Sequence, residues 1–267
     1  DVVDATSNDA SPVKNQEIAM KQTTRFLSTL IAISLLSACF GANASGQESD
    51  QNNAKENQMQ SAQTKLLYMG QASVRFTTPE GKVIYVDPFA GDGYQPAADL
   101  ILVTHGHRDH NDLDKIENRN PGCRTITWKE ALKGGEYQTF KLDYVEIEAV
   151  EAGYNKNHDV KECAGFVLTY SDGVKVYLSV DTSKTKQMPS LAEKKIDYAF
   201  YCCDGTYNMD LDEAAECAKI VGAKHNVPYH VGGKRGPTAF DRERAEKFNA
   251  PNRLIVDAGE EITLTKE

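Results

Sequence analysis

The chain has 267 residues and a formal net charge of −9 at pH 7. This acidity argues against a nucleic-acid partner, because binding to a phosphate backbone depends on a surplus of lysine and arginine. Hydrophobic residues make up 40% of the chain, a share that suits a globular domain with a sizeable core.

The N-terminal part of the chain is predicted to lie outside the folded domain. Residues 1–19 show no hydrophobic periodicity, and we interpret them as a non-native or upstream segment. Residues 20–39 are typical of a secretory signal peptide, with a basic start, a short apolar run and a lipobox that ends at Cys39. Cleavage after Ala44 is the alternative. Residues 40–63 are polar and predict a disordered tether, and residues 64–267 form the predicted folded domain.

Lipidation of Cys39 would place the protein outside the cytoplasm. We therefore expect an exported bacterial lipoprotein, periplasmic or at the cell surface, that contacts the membrane only through its N-terminal lipid. The apolar run is too short to span a bilayer as a permanent helix. Five of the six cysteines would then remain unmodified. Their spacing assigns no disulfides, and Cys202-Cys203 is predicted to be a pair of small, buried apolar residues.

Short strands dominate the folded part of the sequence, and the helices fall between groups of strands. The predicted strands are 65–69, 73–77, 82–86, 100–104, 125–128, 137–140, 144–150, 164–170, 174–180, 196–201, 225–229, 253–256 and 261–264. The predicted helices are 112–117, 129–134, 210–221 and 240–248. Two packed sheets with helices on the outside fit this order, so we predict an α+β fold.

The most informative motif directly follows the apolar strand that ends at Thr104. It reads His105-Gly106-His107-Arg108-Asp109-His110 and contains three of the six histidines of the chain. Burying three imidazoles and a carboxylate together would be costly without a cation between them. Imidazole and carboxylate are ligands that suit Zn²⁺, Mn²⁺ or Fe²⁺. We therefore predict a metal site at the carboxyl end of this strand.

Three further residues are candidates for completing a site for two metals, which needs more ligands than this motif supplies. His158 lies in a polar loop after a strand, Asp181 ends a strand, and His230 follows a Pro-Tyr pair. Each also has an ordinary interpretation: a solvated loop histidine, a helix-capping aspartate or a histidine in a core or turn. Spacing alone leaves these alternatives open.

The motif after its apolar strand resembles the signature of the metallo-β-lactamase superfamily, and the resemblance covers residues 64–267. The order of further residues along the chain is also the one seen in the lactonase-like branch of this superfamily, which includes ascorbate-6-phosphate lactonase. These residues are Val86-Asp87-Pro88-Phe89 before the motif and His158, Asp181 and His230 after it. The resemblance implies a four-layer αββα sandwich with a two-metal site between the sheet edges. This chain departs from the family pattern at Val180, where glycine is usual.

The resemblance also implies a division of ligands between two metal ions. The ligands implied for the first ion are His105, His107 and His158. The ligands implied for the second ion are Asp109, His110 and His230. Asp181 would bridge the two ions, which are expected to be zinc, with manganese or iron as alternatives. Asp87 is expected either to orient a metal-binding histidine or to serve only as a turn residue before Pro88.

Taken together, these features predict a metal-dependent hydrolase. Two ions would activate a shared hydroxide for attack on an ester, lactone, amide or phosphodiester of a small-molecule substrate, with Asp109 and Asp181 as catalytic residues. The first alternative is a non-catalytic, lipid-anchored metal- or ligand-binding protein on the same fold. Iron-dependent oxidoreductase chemistry is a second alternative, which the absence of an appended flavin-binding domain disfavours.

Several other residues have weaker interpretations. Tyr154, Asn155 and Tyr207 are predicted from their positions to line the pocket. His225 is interpreted as a surface or strand-edge residue. Lys234-Arg235 is interpreted as a solvated basic pair, with contact to an anionic substrate group as the alternative.

Overall fold

The computed structural model describes residues 62–232 and 240–267. The predicted signal peptide with Cys39, most of the tether and the Lys234-Arg235 pair lie outside these residues, so those interpretations stay predictions. Within the described ranges, no helix combines the length and the apolar character needed to cross a membrane.

The described residues contain short strands and mostly short helices. The strands are β1 (Lys65–Gly70), β2 (Ser73–Thr77), β3 (Val83–Val86), β4 (Ala98–Val103), β5 (Arg119–Thr127), β6 (Leu132–Lys133), β7 (Glu136–Tyr137), β8 (Thr139–Leu142), β9 (Val145–Glu151), β10 (Ala164–Tyr170), β11 (Lys175–Leu178), β12 (Tyr198–Cys202), β13 (His225–Tyr229) and β14 (Glu261–Thr263). The α-helices are α1 (Trp128–Ala131), α2 (Met188–Leu191), α3 (Leu211–Val221) and α4 (Arg242–Ala245). Short 3-10 helices span Arg108–His110, Leu113–Lys115 and Ala192–Lys194.

The strands form two large sheets and one small hairpin. The first sheet has the order β14-β1-β2-β3-β4-β5, and the second has the order β13-β12-β11-β10-β9-β8. Strands β3, β4 and β5 run parallel, as do β11, β12 and β13. The carboxyl ends of parallel strands reach the same edge of a sheet, where ligands of α/β proteins commonly bind. The loops after β3, β4, β11 and β13 therefore define where a site can form.

The main core lies between the two sheets. Phe76 and Leu102 of the first sheet and Phe166 and Phe200 of the second belong to one buried cluster. A second cluster joins the outer face of the second sheet to α3. A third covers the outer face of the first sheet, where Ile116 packs at the end of a 3-10 helix. The order helix, sheet, sheet, helix is the one expected from the sequence.

The long helix α3 has clear local signals at both ends. Its N-cap, Asp210, accepts a hydrogen bond from the backbone N–H of Glu213 at 2.8 Å, which satisfies one of the free donors of the first turn. The helix ends at Gly222, whose φ of 67° is left-handed and favours glycine. Ala214 and Ala218 face the second sheet and are buried.

One predicted strand, 253–256, is wrong. Arg253 forms only an isolated bridge with Asn226. The backbone N–H and carbonyl of Asn226 both point toward this segment, so the backbone of Pro228, two residues on, points the same way. Since proline has no N–H to donate, the ladder stops there.

Candidate metal centre

The structure brings all seven predicted ligands together at one end of the two sheets. Four of them follow β4, and the others follow β9, β11 and β13. Three groups of ligating atoms lie within 4.8 Å of one another: His105 with His107 and His158, His105 with His110 and Asp181, and Asp109 with His110 and His230. The first and third groups coincide with the two ligand sets that the resemblance implies.

Asp181 lies between these two sets. Its Oδ2 is 3.3 Å from Nε2 of His158, while its Oδ1 is 3.4 Å from Nε2 of His110 and 3.7 Å from Nε2 of His230. Burial by itself would raise the pKa of Asp181, but the His110 and His230 imidazoles hold that pKa well below its usual range. The carboxylate therefore stays charged and faces both sets.

Several buried polar atoms in this region have no hydrogen-bond partner among the residues that the structure describes. They include Nε2 of His110, Oδ1 of Asp181 and Nε2 of His230. Buried polar side-chain atoms are normally hydrogen-bonded, whereas Nε2 of His110 and Nε2 of His230 lie 3.4 and 3.7 Å from Oδ1 of Asp181 without forming a hydrogen bond with it. Imidazole nitrogen and carboxylate oxygen are the donors that zinc, manganese and iron accept. The arrangement therefore fits a metal ion.

His105 has the protonation state that a metal ligand needs. Burial, reinforced by the neighbouring His110, lowers the pKa of His105 to about 2, so its imidazole is neutral at physiological pH. Its Nε2 lies 3.0 Å from Nδ1 of His107, while its Nδ1 lies 3.1 Å from the Thr104 hydroxyl. Neutral imidazole is the form that coordinates metals.

Asp87 orients His110 from behind. The Oδ2 of Asp87 accepts hydrogen bonds from Nδ1 of His110 and from the Thr104 hydroxyl, each at 2.7 Å, and its Oδ1 accepts from the Thr104 N–H at 2.9 Å. The proton on Nδ1 leaves Nε2 of His110 free to face the other ligands. The expectation that Asp87 orients a histidine is confirmed for His110. Asp87 also has a left-handed φ of 47° directly after β3, but its hydrogen bonds show that it is more than a turn residue before Pro88.

We expect Asp87→Asn to weaken metal binding by about 10- to 100-fold, as loss of an outer-shell partner typically does. An asparagine cannot accept from all three donors, so the orientation of His110 loosens. Competition with a chelator measures the change. Asp99→Asn is the matched control, because Asp99 is a buried aspartate at the opposite end of the strand that carries the motif, bonded to Lys82 and to the Val83 N–H. An unchanged affinity in Asp87→Asn would contradict this role.

Gln71, which the sequence did not single out, contacts ligands from two distant segments. Its Nε2 donates to Oδ2 of Asp109 at 2.6 Å, and its carbonyl accepts the N–H of His230 at 2.9 Å. Gln71 lies in the turn between β1 and β2 with a left-handed φ of 49°. The Gly-Gln pair between two strands indicated a turn, but no local pattern indicated these contacts.

We expect Gln71→Met to weaken metal binding by the Asp109, His110 and His230 set by about 10-fold and to leave the His105, His107 and His158 set unaffected. Methionine preserves side-chain length but cannot donate to Asp109. Elemental analysis after dialysis against a chelator would show a lower metal content than in the native protein. Gln138→Met, which removes a bond only to the Glu136 carbonyl, is the control. An unchanged metal content would contradict this role of Gln71.

A cleft of about 440 Å³ opens over the ligands, and His107, Asp109, His158 and Tyr207 are among the residues that line it. Tyr207 is 60% exposed. The prediction for Tyr207 is therefore confirmed.

Asn155 and Tyr154 differ from the prediction. Asn155 lies behind His158, where its Oδ1 is 3.0 Å from Nδ1 of that histidine, and so it orients the ring. Tyr154 is not among the residues that line this cleft. The polar loop that contains both residues had suggested pocket lining, but only the fold shows which side chains face inward.

Two other predictions concern residues outside the cleft. His225 begins the edge strand β13, and its Nε2 lies 3.1 Å from Glu267, as expected for a strand-edge residue. Cys202 and Cys203 are fully buried, which confirms that prediction. The cysteines of the described residues are all free thiols.

Comparison to known proteins agrees with this fold. A family model described as a β-lactamase superfamily domain matches residues 65–230. The chain belongs to the metallo-β-lactamase superfamily. The predicted sandwich and the predicted class, a metal-dependent hydrolase of this superfamily, are thereby confirmed.

Relatives of this metallo-β-lactamase superfamily member come from bacteria and archaea. A UPF0173 metal-dependent hydrolase from Thermococcus onnurineus is 30% identical over 75% of this chain and 96% of its own length. Another from Rubrobacter xylanophilus is 28% identical over 74% of this chain and 96% of its own length.

Two solved structures have a similar fold. A proposed metal-dependent hydrolase from Parabacteroides distasonis has a TM-score of 0.59 and 27% identity, covering 73% of this chain and 93% of that one. The metallo hydrolase Igni18 from Ignicoccus hospitalis has a TM-score of 0.60 and 21% identity, covering 76% of this chain and 99% of that one. At this identity, the likeness shows the fold alone.

This superfamily member carries a strained residue beside Asp181. Val180 has a φ of 55°, a left-handed conformation that costs a β-branched residue roughly 1–2 kcal/mol. Its side chain is fully buried in the core between the sheets, and its N–H donates to the Tyr229 hydroxyl at 3.2 Å. The chain therefore has a packed side chain where the family's usual glycine would avoid the strain.

We expect Val180→Gly to destabilise the fold by about 1–2 kcal/mol. Removing three buried carbons costs roughly 2.4 kcal/mol and the added flexibility of glycine about 0.5–1 kcal/mol, whereas relief of strain returns only about 1–2 kcal/mol. Urea unfolding measures the difference, and metal content should not change. A more stable variant would show that strain outweighs packing here.

Proposed function

We propose that this hydrolase uses two divalent metal ions, most simply zinc, with manganese or iron as alternatives. The observation that carries the proposal is the position of Asp181, whose two oxygens face two separate groups of ligands. A single carboxylate between two such groups is the arrangement expected of a bridging ligand. The proposed ligands are His105, His107 and His158 for one ion, Asp109, His110 and His230 for the other, and Asp181 for both.

The proposed reaction is hydrolysis of an ester, lactone, amide or phosphodiester bond in a small-molecule substrate. When bound, the two ions would lower the pKa of a shared water toward neutrality and polarise the carbonyl or phosphoryl oxygen of the substrate. The cleft of about 440 Å³ holds a small molecule rather than a folded partner. The hydrolase relatives support this substrate class.

The two candidate catalytic carboxylates have different roles in this proposal. The Asp181 side chain is only 5% exposed and its lowered pKa keeps it charged, so it acts as a ligand and does not carry protons. The Asp109 side chain is 40% exposed at the cleft, and Gln71 holds only its Oδ2. Asp109 can therefore pass a proton to the leaving group.

The test begins with protein purified without added metal. Elemental analysis should find about two divalent ions per chain, and a panel of esters, lactones, amides and phosphodiesters should include at least one that is cleaved. Activity should disappear on chelation and return with zinc, manganese or iron. Full turnover by metal-free protein would overturn the proposal. Two bound ions without turnover on the panel would favour the non-catalytic binding protein.

We also propose that the protein is exported and lipidated at Cys39, on the basis of the N-terminal sequence. Cys39→Ser should move the protein from the membrane fraction to the soluble exported fraction in a bacterial host. If Cys39→Ser and the native protein divide equally between the membrane and soluble fractions, lipidation at Cys39 is contradicted. That result would favour cleavage after Ala44 or attachment to the membrane by other means.

A further inference from the structure

A second cavity, of about 290 Å³, adjoins the metal centre on the side of His105. It shares three lining residues, His107, Asn157 and His158, with the cleft over the ligands. A substrate whose reacting bond lies near Asp181 can therefore extend past these residues into the second cavity. We propose that this cavity is a subsite for an uncharged aromatic or similar apolar group of the substrate, an inference that rests on the proposed hydrolytic function.

Trp128 is the main apolar surface of this subsite. It is the only tryptophan of the chain and is half-buried. Its ring lies against the metal-binding motif: a Cβ added to Gly106 would come within 3.1 Å of ring atom Cζ2 and 3.2 Å of Cη2. The glycine between His105 and His107 thus allows the indole to pack directly beside the ligands.

The start of α1 keeps Trp128 in place. Thr127 forms a capping box with Glu130, in which the Thr127 N–H donates to Glu130 Oε2 at 3.0 Å and the Thr127 hydroxyl oxygen accepts the Lys129 N–H at 3.3 Å. Such a box satisfies two free backbone N–H donors at the helix start and so stabilises it. The indole is therefore presented by a defined helix start that follows β5, next to β4 and the motif.

The rest of the cavity favours an uncharged ligand. Cys163 is buried, and burial raises the pKa of its thiol to about 12, so the thiol is neutral and contributes apolar surface. The charged lining residues Lys129, Asp159 and Glu162 are exposed and of mixed sign. Exposed charges are hydrated and contribute little to binding. The favourable surface is therefore the indole, which prefers aromatic and apolar partners.

The first test measures the hydrolysis of methyl esters by the metal-loaded protein, with proton release as the readout. The esters are methyl acetate, methyl phenylacetate and monomethyl succinate, which share one leaving group and differ in the acyl side. We expect the highest kcat/KM for methyl phenylacetate. Trp128→Ala should lower the ratio of phenylacetate to acetate by about 10-fold, as removal of an aromatic contact does, and Trp128→Phe should retain most of it. Phe140→Ala, which removes a half-buried aromatic ring on β8, should leave the ratio unchanged.

Three outcomes would overturn the subsite. Equal losses on both esters, or loss of bound metal in Trp128→Ala, would show that the indole only supports the fold of the motif. A preference for monomethyl succinate would show that the cavity selects an anion through Lys129 instead of an apolar group.

The second test separates the subsite from the hydrolytic function. Because Trp128 is the only tryptophan, its fluorescence reports on the cavity directly, and 2-phenylethanol should shift its emission in a saturable manner while ethanol does not. A saturable shift without cleavage of any ester, lactone, amide or phosphodiester of the panel would support the subsite and contradict the proposed hydrolysis. Cleavage without ester preference and without a saturable shift would support hydrolysis and overturn the subsite.

Discussion

Replacing Asp181 with alanine is expected to remove bound metal and to lower hydrolysis by more than about 100-fold, beyond the 10- to 100-fold cost of losing an outer-shell partner. Asp181 faces His158 through one oxygen and His110 and His230 through the other. Its loss therefore removes a ligand from both proposed ions and leaves buried imidazoles without a counter-charge. Elemental analysis and steady-state kinetics on the same preparation measure both effects.

Asp197→Ala is the matched control for this experiment. Asp197 is as buried as Asp181, but its carboxylate accepts from the Lys175 N–H and from Nζ of Lys266. Its loss should reduce stability, since it leaves a buried donor unpaired, and it should not reduce metal content. If Asp181→Ala retains two ions and full activity, the bridging role is wrong.

Removing the metal is expected to have the second large effect, a fall in Tm of roughly 8–16 °C. A ligand present at about 1,000 times its Kd stabilises the folded state by about 4.1 kcal/mol. Each kcal/mol shifts the Tm of a domain of this size by about 2–4 °C. The buried atoms of His110, Asp181 and His230 that have no hydrogen-bond partner among the described residues supply the physical reason, because a cation would satisfy them.

Thermal unfolding with and without a chelator measures this shift, and zinc added back should restore the original Tm. Asp181→Ala serves as the control, since its Tm should no longer respond to chelator or to added zinc. A chelated native protein that has lost its metal and keeps the same Tm would show that the site does not contribute to stability.

Much of the fold was predictable from local patterns. The predicted bounds of the strands at Ser73–Thr77, Ala164–Tyr170 and His225–Tyr229 match the structure, because their apolar residues and flanking turns are encoded in adjacent positions. The strand predicted at 253–256 was wrong for a reason that depends on its neighbour. Its ladder is interrupted by Pro228 in β13, and this effect is visible only once the two segments are known to lie side by side.

The residues of the candidate site also divide into those predictable from local sequence and those that depend on distant parts of the chain. His105, His107, Asp109 and His110 were apparent as a group because they are close in sequence, whereas His158, Asp181 and His230 needed the family resemblance to be joined to them. Neither the local sequence pattern nor the family resemblance indicated the contacts of Gln71 with Asp109 and of Trp128 with Gly106. Each joins residues that are far apart along the chain.

By itself, the sequence determined that this protein carries a dense group of metal-ligating side chains directly after a buried strand, in a chain of alternating short strands and helices. Only the tertiary structure decided which other side chains complete that group, which residues orient it and what kind of cavity lies beside it. The physical reason is that ligand identity is a property of single residues and their neighbours. Ligand geometry arises where the carboxyl ends of β4, β9, β11 and β13 converge, and that convergence depends on the order of strands in two sheets.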